Sequence, residues 1–199
     1  MCDDCVAHLA GPVTRRDLAA GFPVWAGSRY DGVARRAIVA LKNDQRTDVA
    51  GALAPLLRAA IDTAATELAG SSPAGDVALA ALPSSRAAYR RRGYRPVDVV
   101  VRRTGLRLDH PLAWQRQPGD QIGLGVHARQ ANLAGALRAR RPVAGRLFLL
   151  VDDVVTTGGT LREARRALAA AGATVLGAVV IAATERRVPG VSSGSQFAE

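Results

Sequence analysis

The sequence has 199 residues, of which 48% are hydrophobic and only 4% aromatic, so we expect a core built mainly of Ala, Val and Leu. This length suits one domain with a small appendage, and aliphatic cores are typical of parallel α/β sheets. The net charge of +10 fits an anionic partner, either nucleic acid or a phosphorylated small molecule, but a bias toward Ala, Arg, Gly and Val explains it equally well.

The sequence argues against a membrane-spanning protein, an exported protein and a disulfide-rich protein. No stretch reaches the roughly 18–20 consecutive apolar residues that a membrane span requires. The first residues lack the basic region and apolar run of a signal peptide. The two cysteines, Cys2 and Cys5, are too few and too close together for a disulfide framework. We therefore expect a soluble, cytoplasmic protein.

The predicted elements alternate between helices and strands along the chain. Apolar residues recur at helical spacing, most clearly between Val49 and Leu68, and aliphatic runs predict buried strands. The chain up to about residue 29 carries Gly and Pro breakers and is predicted to be irregular. In order, we then predict helices over 30–41 and 48–69, a strand over 77–82, helices to about residue 92 and over 96–103, a polar loop over 114–130, a strand over 147–151, a helix over 160–171, a strand over 175–183 and a disordered tail. This alternation predicts a largely parallel sheet with helices on both faces.

Residues 148–160 form the segment with the clearest pattern of a ligand-binding site. An apolar strand leads into Asp152 and Asp153, two valines follow, and a turn of small residues then opens a helix. The turn consists of Thr156, Thr157, Gly158, Gly159 and Thr160. In doubly wound sheets ligands bind at the carboxyl ends of the strands, which is where this turn is expected.

Each residue type in this segment has a physical reason. Unpaired N–H groups and a partial positive charge at a helix N-terminus favour a phosphate, and glycines let the backbone approach it closely. The threonine hydroxyls can donate further hydrogen bonds. Ionised carboxylates only accept, so Asp152 and Asp153 suit two neighbouring ribose hydroxyls. The segment therefore predicts a site for a 5-phosphorylated ribose.

The same segment resembles, position for position, the signature with which type I phosphoribosyltransferases bind 5-phosphoribosyl pyrophosphate. The alternative is an ordinary strand–turn–helix with a threonine as N-cap. A Walker-type phosphate loop is excluded, because no Gly-Lys-Ser or Gly-Lys-Thr follows the glycines.

Three other segments extend this resemblance. They are Tyr30-Asp31-Gly32 with Arg35-Arg36 and Leu41-Lys42; Leu82-Pro83-Ser84-Ser85-Arg86 with Arg90-Arg91-Arg92-Gly93-Tyr94; and Gln121, Gly123, Leu124, Arg129, Asn132 and Gly135 at fixed spacing. With them, residues 2–184 resemble ComF-family phosphoribosyltransferase-like proteins. The resemblance implies an α/β, type I phosphoribosyltransferase-like fold, with a central, mostly parallel sheet flanked by helices. It divides the chain into an N-terminal hood (1–45), a core (46–184) and a tail (185–199).

The resemblance also implies roles for residues outside the signature. A loop after the first predicted strand would bind pyrophosphate, with Arg86 as a fork for phosphate oxygens; the alternative is a helix start capped by a serine. This loop consists of Pro83, Ser84, Ser85 and Arg86. Arg129 lies in a segment, 117–132, that resembles the flexible catalytic loop and would stabilise the leaving pyrophosphate; the alternative is a solvated loop. Departures from the usual family residues occur at Ala128, Leu137, Arg95 and Pro96.

The sequence raises the question of two metal ions, magnesium and zinc. Asp152 and Asp153 are the predicted ligands of Mg²⁺, which binds through few carboxylates together with substrate phosphates. Cys2 and Cys5 resemble half of the four-cysteine zinc finger of many ComF-family proteins. With His8 they supply at most three of four ligands, so we interpret them as a remnant of that finger.

Three functions stay open. The first is a Mg²⁺-dependent phosphoribosyltransferase that transfers phosphoribose to or from a nitrogenous acceptor. The second is a non-catalytic competence protein that binds single-stranded DNA, for which arginines at 90–92 and 138–141 would follow the DNA backbone rather than form a solvated face. The third is a regulator that senses a phosphoribosyl compound. A homodimer and a lysine-specific role for Lys42 are further expectations.

Overall fold

The structure is a computed structural model that describes residues 9, 11–18, 21–70, 75–116 and 133–185. Five helices are described: α1 (Gly32–Asn43), α2 (Ala50–Leu68), α3 (Arg86–Arg92), α4 (Pro96–Arg103) and α5 (Gly159–Ala169), with a 3-10 turn over Thr47–Val49. Eight strands are described: β1 (Thr14–Leu18), β2 (Phe22–Ala26), β3 (Val77–Ala81), β4 (Leu108–Asp109), β5 (Leu112–Trp114), β6 (Leu137–Ala139), β7 (Leu147–Val155) and β8 (Thr174–Ala183).

Six of these strands form one sheet in the order β1-β2-β8-β7-β3-β4. Strands β2, β8, β7, β3 and β4 are mutually parallel, and β1 alone is antiparallel to its neighbour β2. Strands β5 and β6 form a separate antiparallel pair. The prediction of an α/β fold with a mostly parallel central sheet flanked by helices is confirmed.

Hydrophobic cores lie on both faces of this sheet. On one face, Leu149 and Val151 of β7 pack with apolar residues of α1, α2 and α4. On the other face, Phe148 and Leu150 pack with α5 and the β5–β6 pair. Because β7 is covered on both sides, its sequence is a continuous aliphatic run rather than an alternating one. Among the described residues no helix has the length and apolar character needed to cross a bilayer.

The N-terminal segment corrects the prediction that residues up to about 29 are irregular, because β1 and β2 form a hairpin there. Pro23 had argued against a strand, since proline cannot donate to a sheet. The parallel pairing of β2 with β8 runs from Val24 to Ala26, beyond the proline, so the missing N–H costs that ladder nothing. Trp25 is fully buried in the core and is therefore a packing residue.

Other differences concern short or terminal elements. Strands β4, β5 and β6 have only two or three residues each and were not predicted, because so few residues carry no periodicity. Strand β7 continues past the predicted end through both aspartates to Val155. The division into hood, core and tail stays a prediction. Of the proposed hood, β1, β2 and α1 belong to the main sheet and its core, while residues 186–199 of the tail lie outside the described residues.

Gly27 marks a place where the sheet and α2 approach too closely for a side chain. An added Cβ at this position would lie 2.0 Å from the carbonyl oxygen of Leu56 on α2. The contact is with backbone, which cannot rotate away as a side chain would. The packing of α2 against β2 therefore requires glycine at this position.

We predict that Gly27→Ala lowers the free energy of unfolding by about 1–3 kcal/mol, the usual range for overpacking. Gly51→Ala is the matched control, because Gly51 lies exposed on α2 with open space around it. Replacing that helical glycine should instead stabilise the protein by about 0.5–1 kcal/mol. Urea denaturation of both variants measures the difference, and equal midpoints would contradict the proposed close approach.

Candidate functional site

The turn that is predicted to bind phosphate, residues 156–160 and called the phosphate loop below, connects β7 to α5 at the carboxyl end of the sheet. Gly158 is the N-cap of α5 and has a left-handed backbone with φ of +73°, which only glycine adopts at little cost. An added Cβ there would also lie 2.3 Å from Cδ1 of Leu18 on β1. Conformation and packing both explain why the predicted turn carries glycine at this position.

A pocket of about 220 Å³ opens over this loop. Its wall consists of Leu133, Asp152 and residues 154–161. The first N–H groups of α5 have no acceptor within the helix, so together with the helix dipole they favour an anion in the pocket. The structure therefore brings together all five residues predicted to bind the phosphate: Thr156, Thr157, Gly158, Gly159 and Thr160.

The two predicted carboxylates differ in their surroundings. Asp153 is buried, and its Oδ1 accepts a hydrogen bond of 2.7 Å from Nζ of Lys42 on α1. Asp152 accepts a 2.9 Å hydrogen bond from the Asp153 backbone N–H through Oδ1. Burial raises the pKa of the Asp152 carboxyl to about 7; the charge of Asp153 adds to the rise, whereas Lys42 and the backbone N–H oppose it. Negative charge is thus concentrated at the end of β7.

Lys42 is the functional residue that sequence analysis left without a defined role. It is the only lysine in the chain, and it lies in one of the segments that carry the family resemblance, so the sequence offered two signals for it. It lies in the last turn of α1, whose end is held in place by the Tyr94 hydroxyl, which donates to the carbonyl oxygen of Leu41. Helix α1 therefore places the Lys42 ammonium group within hydrogen-bonding distance of the buried Asp153 carboxylate.

A second cleft, of about 310 Å³, extends from the two aspartates across the end of the sheet. Its far side is formed by Ser84 and Ser85 of the loop after β3 and by Arg92 and Arg95. Nε of Arg92 is buried, and no described residue accepts a hydrogen bond from it. Asp152 lines both the cleft and the phosphate-loop pocket, so the two spaces meet at this residue.

Residues of the loop after β3, Pro83 to Arg86, cap α3 and line two different pockets. Ser85 caps α3, since its Oγ accepts a 3.2 Å hydrogen bond from the Ala88 backbone N–H, so the alternative helix-start reading holds for this residue. Pro83, Ser84 and Ser85 also line the cleft beside the aspartates. Arg86 instead lines a neighbouring pocket, with His110 and Arg140 among its other wall residues. The carbonyl oxygen of Pro83 accepts a 2.8 Å hydrogen bond from Nε1 of Trp114, which fixes the loop to β5.

The sequence model of the "Phosphoribosyl transferase domain" family matches residues 88–192, more than half of the chain. The chain belongs to this family. The match includes the aspartate pair, the phosphate loop and α5, but it begins after the serines of the loop that follows β3.

Curated relatives extend the similarity toward the N-terminus. The chain is 30% identical over 138 residues to the "DNA utilization protein YhgH" of Escherichia coli K12, with 67% of this chain and 60% of the relative covered. It is 32% identical over 142 residues to the protein of the same name from Salmonella typhimurium, with the same shares. The chain thus spans 60% of the length of these relatives. A shorter match, 54% identical over 48 residues, covers 24% of this chain and 26% of an "Orotate phosphoribosyltransferase" of a Nocardioides species. These findings confirm the predicted resemblance to ComF-family phosphoribosyltransferase-like proteins.

Glu163 is a buried carboxylate of the family domain that the sequence analysis did not identify. It accepts a 2.9 Å hydrogen bond from the backbone N–H of Leu137, the first residue of β6, and pairs with Arg166 at 2.8 Å. Burial alone would raise its pKa, but the hydrogen bonds from Arg166 and Leu137 outweigh burial and hold the pKa of Glu163 below its usual value. Glu163 therefore ties α5 to the strand that follows residues 117–132.

Arg129, Cys2, Cys5 and His8 lie outside the described residues, so the flexible-loop and zinc-remnant interpretations stay predictions. His110 lies 3.3 Å from Oδ2 of Asp98. Within the described ranges no three or more His, Cys, Asp or Glu side chains form a cluster that could hold a metal ion.

We predict that Asp152→Asn stabilises the metal-free protein at pH 8 but not at pH 4. Asn keeps an oxygen for the backbone N–H of Asp153 and removes a charge that the fold disfavours. A raised pKa means that the favourable contribution of the neutral carboxyl is complete below the unfolded pKa near 4 and is lost as the pH rises through about 7. The expected gain at pH 8 is about 1–3 kcal/mol.

Chemical denaturation at both pH values in the presence of a chelator measures this effect. Asp62→Asn, at an exposed carboxylate of α2 paired with Arg58, is the control that should show no such gain. An Asp152→Asn protein that is equally or less stable than wild type at pH 8 would contradict the charge concentration at this site.

Proposed function

We propose that this protein binds 5-phosphoribosyl pyrophosphate and transfers phosphoribose between pyrophosphate and a nitrogenous acceptor. One observation carries the proposal. The phosphate-loop pocket and the cleft toward Ser84, Ser85 and Arg92 meet at Asp152, so a sugar there would have an anion site on either side. A ligand with a phosphate at one end of a ribose and a pyrophosphate at the other fits this sequence of subsites.

The 5-phosphate end is supported by the phosphate loop. Residues 156–160 offer backbone N–H groups, three threonine hydroxyls and the positive end of α5. The ribose is supported by the aspartates, whose oxygens accept from its hydroxyl groups. Because Lys42 already neutralises Asp153, the pair can stay beside the sugar without the full repulsion of two unpaired charges.

The pyrophosphate end is supported by the far side of the cleft. Ser84 and Ser85 can donate from their hydroxyls, and Arg92 and Arg95 supply positive charge. The buried Nε of Arg92 has no acceptor among the described residues, and a phosphate oxygen would satisfy it. Arg95 is partly engaged, since it lies 3.7 Å from Asp98. In this cleft Arg92 and Arg95 take the place that sequence analysis predicted for Arg86, which lines the neighbouring pocket.

The donor set also fits Mg²⁺. Two adjacent carboxylates, which form no metal-binding group of three or more His, Cys, Asp or Glu side chains within the described residues, suit an ion that takes most of its ligands from substrate oxygens and water. Asp152 and Asp153 would hold it, and its contribution would be to neutralise charge on the phosphates. Arg129 is the further residue that we expect to stabilise the departing pyrophosphate.

In the proposed reaction, the bond from ribose C1 to the pyrophosphate oxygen breaks and a bond from C1 to the acceptor nitrogen forms. Pyrophosphate leaves with the electron pair, and the acceptor nitrogen loses a proton. The sugar passes through an oxocarbenium-like state, which carries positive charge close to Asp152 and Asp153. The site thus contributes position and charge rather than a covalent nucleophile.

The test measures binding of 5-phosphoribosyl pyrophosphate by calorimetry with Mg²⁺, and pyrophosphate release with a panel of nitrogenous bases. Arg92→Ala should weaken binding about 10-fold or more, as expected for a lost charge-assisted hydrogen bond. Arg91→Ala is the matched control, because Arg91 is an exposed neighbour on α3 and does not line the cleft. Arg86→Ala measures the contribution predicted from sequence.

The outcomes separate the hypotheses. Wild-type protein that does not bind the ligand would reject the proposed function. Binding without pyrophosphate release across the panel would reject the transfer reaction and favour a sensor of phosphoribosyl compounds. Equal affinities of the Arg92→Ala and wild-type proteins would remove Arg92 from the site.

A second candidate function is binding of single-stranded DNA, and an exposed aromatic residue favours it. Tyr89 on α3 is 45% exposed, and Cζ of Arg95 lies 5.3 Å from the centre of its ring. Arg86, Arg90 and Arg91 are exposed on the same short helix. Exposed aromatic rings among arginines are typical of surfaces that stack bases and follow a phosphate backbone. The relatives named for DNA utilization agree with this candidate.

We predict that Tyr89→Ala weakens binding of a single-stranded oligonucleotide by the roughly 1–3 kcal/mol of one stacked base. Val77→Ala is the control with unchanged affinity, because Val77 is the second large hydrophobic residue that is exposed in the described part of the chain. Fluorescence anisotropy over a range of salt concentrations measures both variants. Loss of affinity with rising salt in wild type is also expected, and equal binding by both variants would eliminate the Tyr89 surface.

A further inference from the structure

Arg16 on β1 reaches the phosphate loop although it lies outside every segment that identified the site. Its Nη2 donates a 2.8 Å hydrogen bond to the carbonyl oxygen of Thr156, and its Nη1 donates one of 3.0 Å to the carbonyl oxygen of Thr184. We propose that Arg16 is a positioning residue that orients the phosphate loop toward a 5-phosphate. This inference rests on the proposed function.

The first step concerns the peptide between Thr156 and Thr157. In a trans peptide the C=O and N–H groups point in opposite directions. Because Arg16 holds the carbonyl of Thr156 on the β1 side, the N–H of Thr157 is directed away from β1. Thr157 lines the phosphate-loop pocket, so this arrangement presents a donor on the ligand side of the loop.

The second step concerns the anchoring of Arg16 itself. Thr184 follows β8, and its backbone N–H donates a 3.1 Å hydrogen bond to the carbonyl oxygen of Val155, the last residue of β7. The guanidinium therefore bridges the ends of two neighbouring strands of the main sheet. A planar fork with two donors in fixed geometry suits this bridge, and a single ammonium does not.

A separate contact fixes the same loop from the same strand. Strand residues alternate between faces, so Arg16 and Leu18 lie on one side of β1. The side chain of Leu18 packs against the bare backbone of Gly158, where an added Cβ would come within 2.3 Å of its Cδ1. Strand β1 thus holds the loop by a polar contact at Thr156 and by an apolar contact at Gly158.

Charge adds to this role. Arg16 places a permanent positive charge behind the loop, in addition to the partial charge of the α5 N-terminus. Both favour a doubly charged phosphate in the pocket. The charge of Arg16 affects a pyrophosphate in the neighbouring cleft less, because the walls of that cleft include neither Arg16 nor Thr156.

The chain offers a matched control in Arg15. It is the preceding residue of β1, it is also an arginine, and it points to the other face, where it contacts Asp17, Glu67 and the ring of Trp25. Substitution of Arg15 alters the same strand and removes the same charge, but it leaves the contact to Thr156 in place.

The experiment compares two probes, ribose 5-phosphate and Mg²⁺-pyrophosphate, by calorimetry on the full chain. Arg16→Ala should weaken binding of ribose 5-phosphate about 10-fold or more, the range of a charge-assisted hydrogen bond, and leave pyrophosphate binding within about two-fold. Arg16→Lys should restore only part of the affinity. Arg15→Ala should bind both probes as wild type does.

Each other outcome overturns the inference. Unchanged affinity of Arg16→Ala for ribose 5-phosphate would remove Arg16 from the site. Equal loss for both probes would assign it a purely structural role. Full rescue by Arg16→Lys would show that charge alone suffices, and this variant also decides the matter if Arg16→Ala does not fold. Wild-type protein that binds pyrophosphate but not ribose 5-phosphate would reject the proposed 5-phosphate site itself.

Discussion

Asp152 and Asp153 place two carboxylates side by side near the end of β7, a strand that both hydrophobic cores cover. Burial and the charge of Asp153 both oppose ionisation of Asp152, so a cation beside the pair is needed to offset them. Lys42 supplies it to Asp153, while the raised pKa of Asp152 shows that compensation is incomplete. Negative charge at the site is therefore only partly compensated, and hydrogen bonds from ligand hydroxyl groups or a bound metal ion would stabilise it. Residues that bind ligands in this way destabilise the empty protein, a cost that functional sites commonly carry.

The parallel pairing of β3 with β7 decides where the other groups lie. Parallel neighbours end at the same edge of a sheet, so the loop after β3 and the phosphate loop after β7 meet there. Asp152 lies where the phosphate-loop pocket and the cleft join. The order of subsites in the proposed function, phosphate then sugar then pyrophosphate, follows from this topology rather than from any single motif.

Elements at the margins of the fold hold these loops in shape. The β1–β2 hairpin extends the sheet, and through Arg16 and Leu18 it also contacts the phosphate loop. Trp114 of β5 fixes the loop after β3, and Glu163 of α5 anchors the start of β6. Short strands at the margins of the fold therefore hold both loops of the predicted site in place. The exposed Tyr89 and its neighbouring arginines lie on α3, directly after the loop that lines the cleft, so a DNA-binding surface and a phosphoribosyl site would be adjacent rather than alternative.

The sequence by itself determined the class of fold, the positions of β3, β7 and β8, and the glycine-containing turn that opens α5. Those features depend on local signals: aliphatic runs, helical spacing and a glycine-containing turn at a helix N-terminus. The hairpin over residues 14–26 was missed because Pro23 and the flanking polar residues concealed a strand whose partner, β8, lies far along the chain. Only the tertiary structure joined Lys42 to Asp153, 111 residues apart, and Arg16 to Thr156, 140 residues apart. It also placed Arg86 outside the cleft and Arg92 inside it, because the direction of a side chain on a short helix depends on how that helix packs. Local patterns specify what a segment can bind, whereas the long-range pairing of strands decides which distant side chains complete the site.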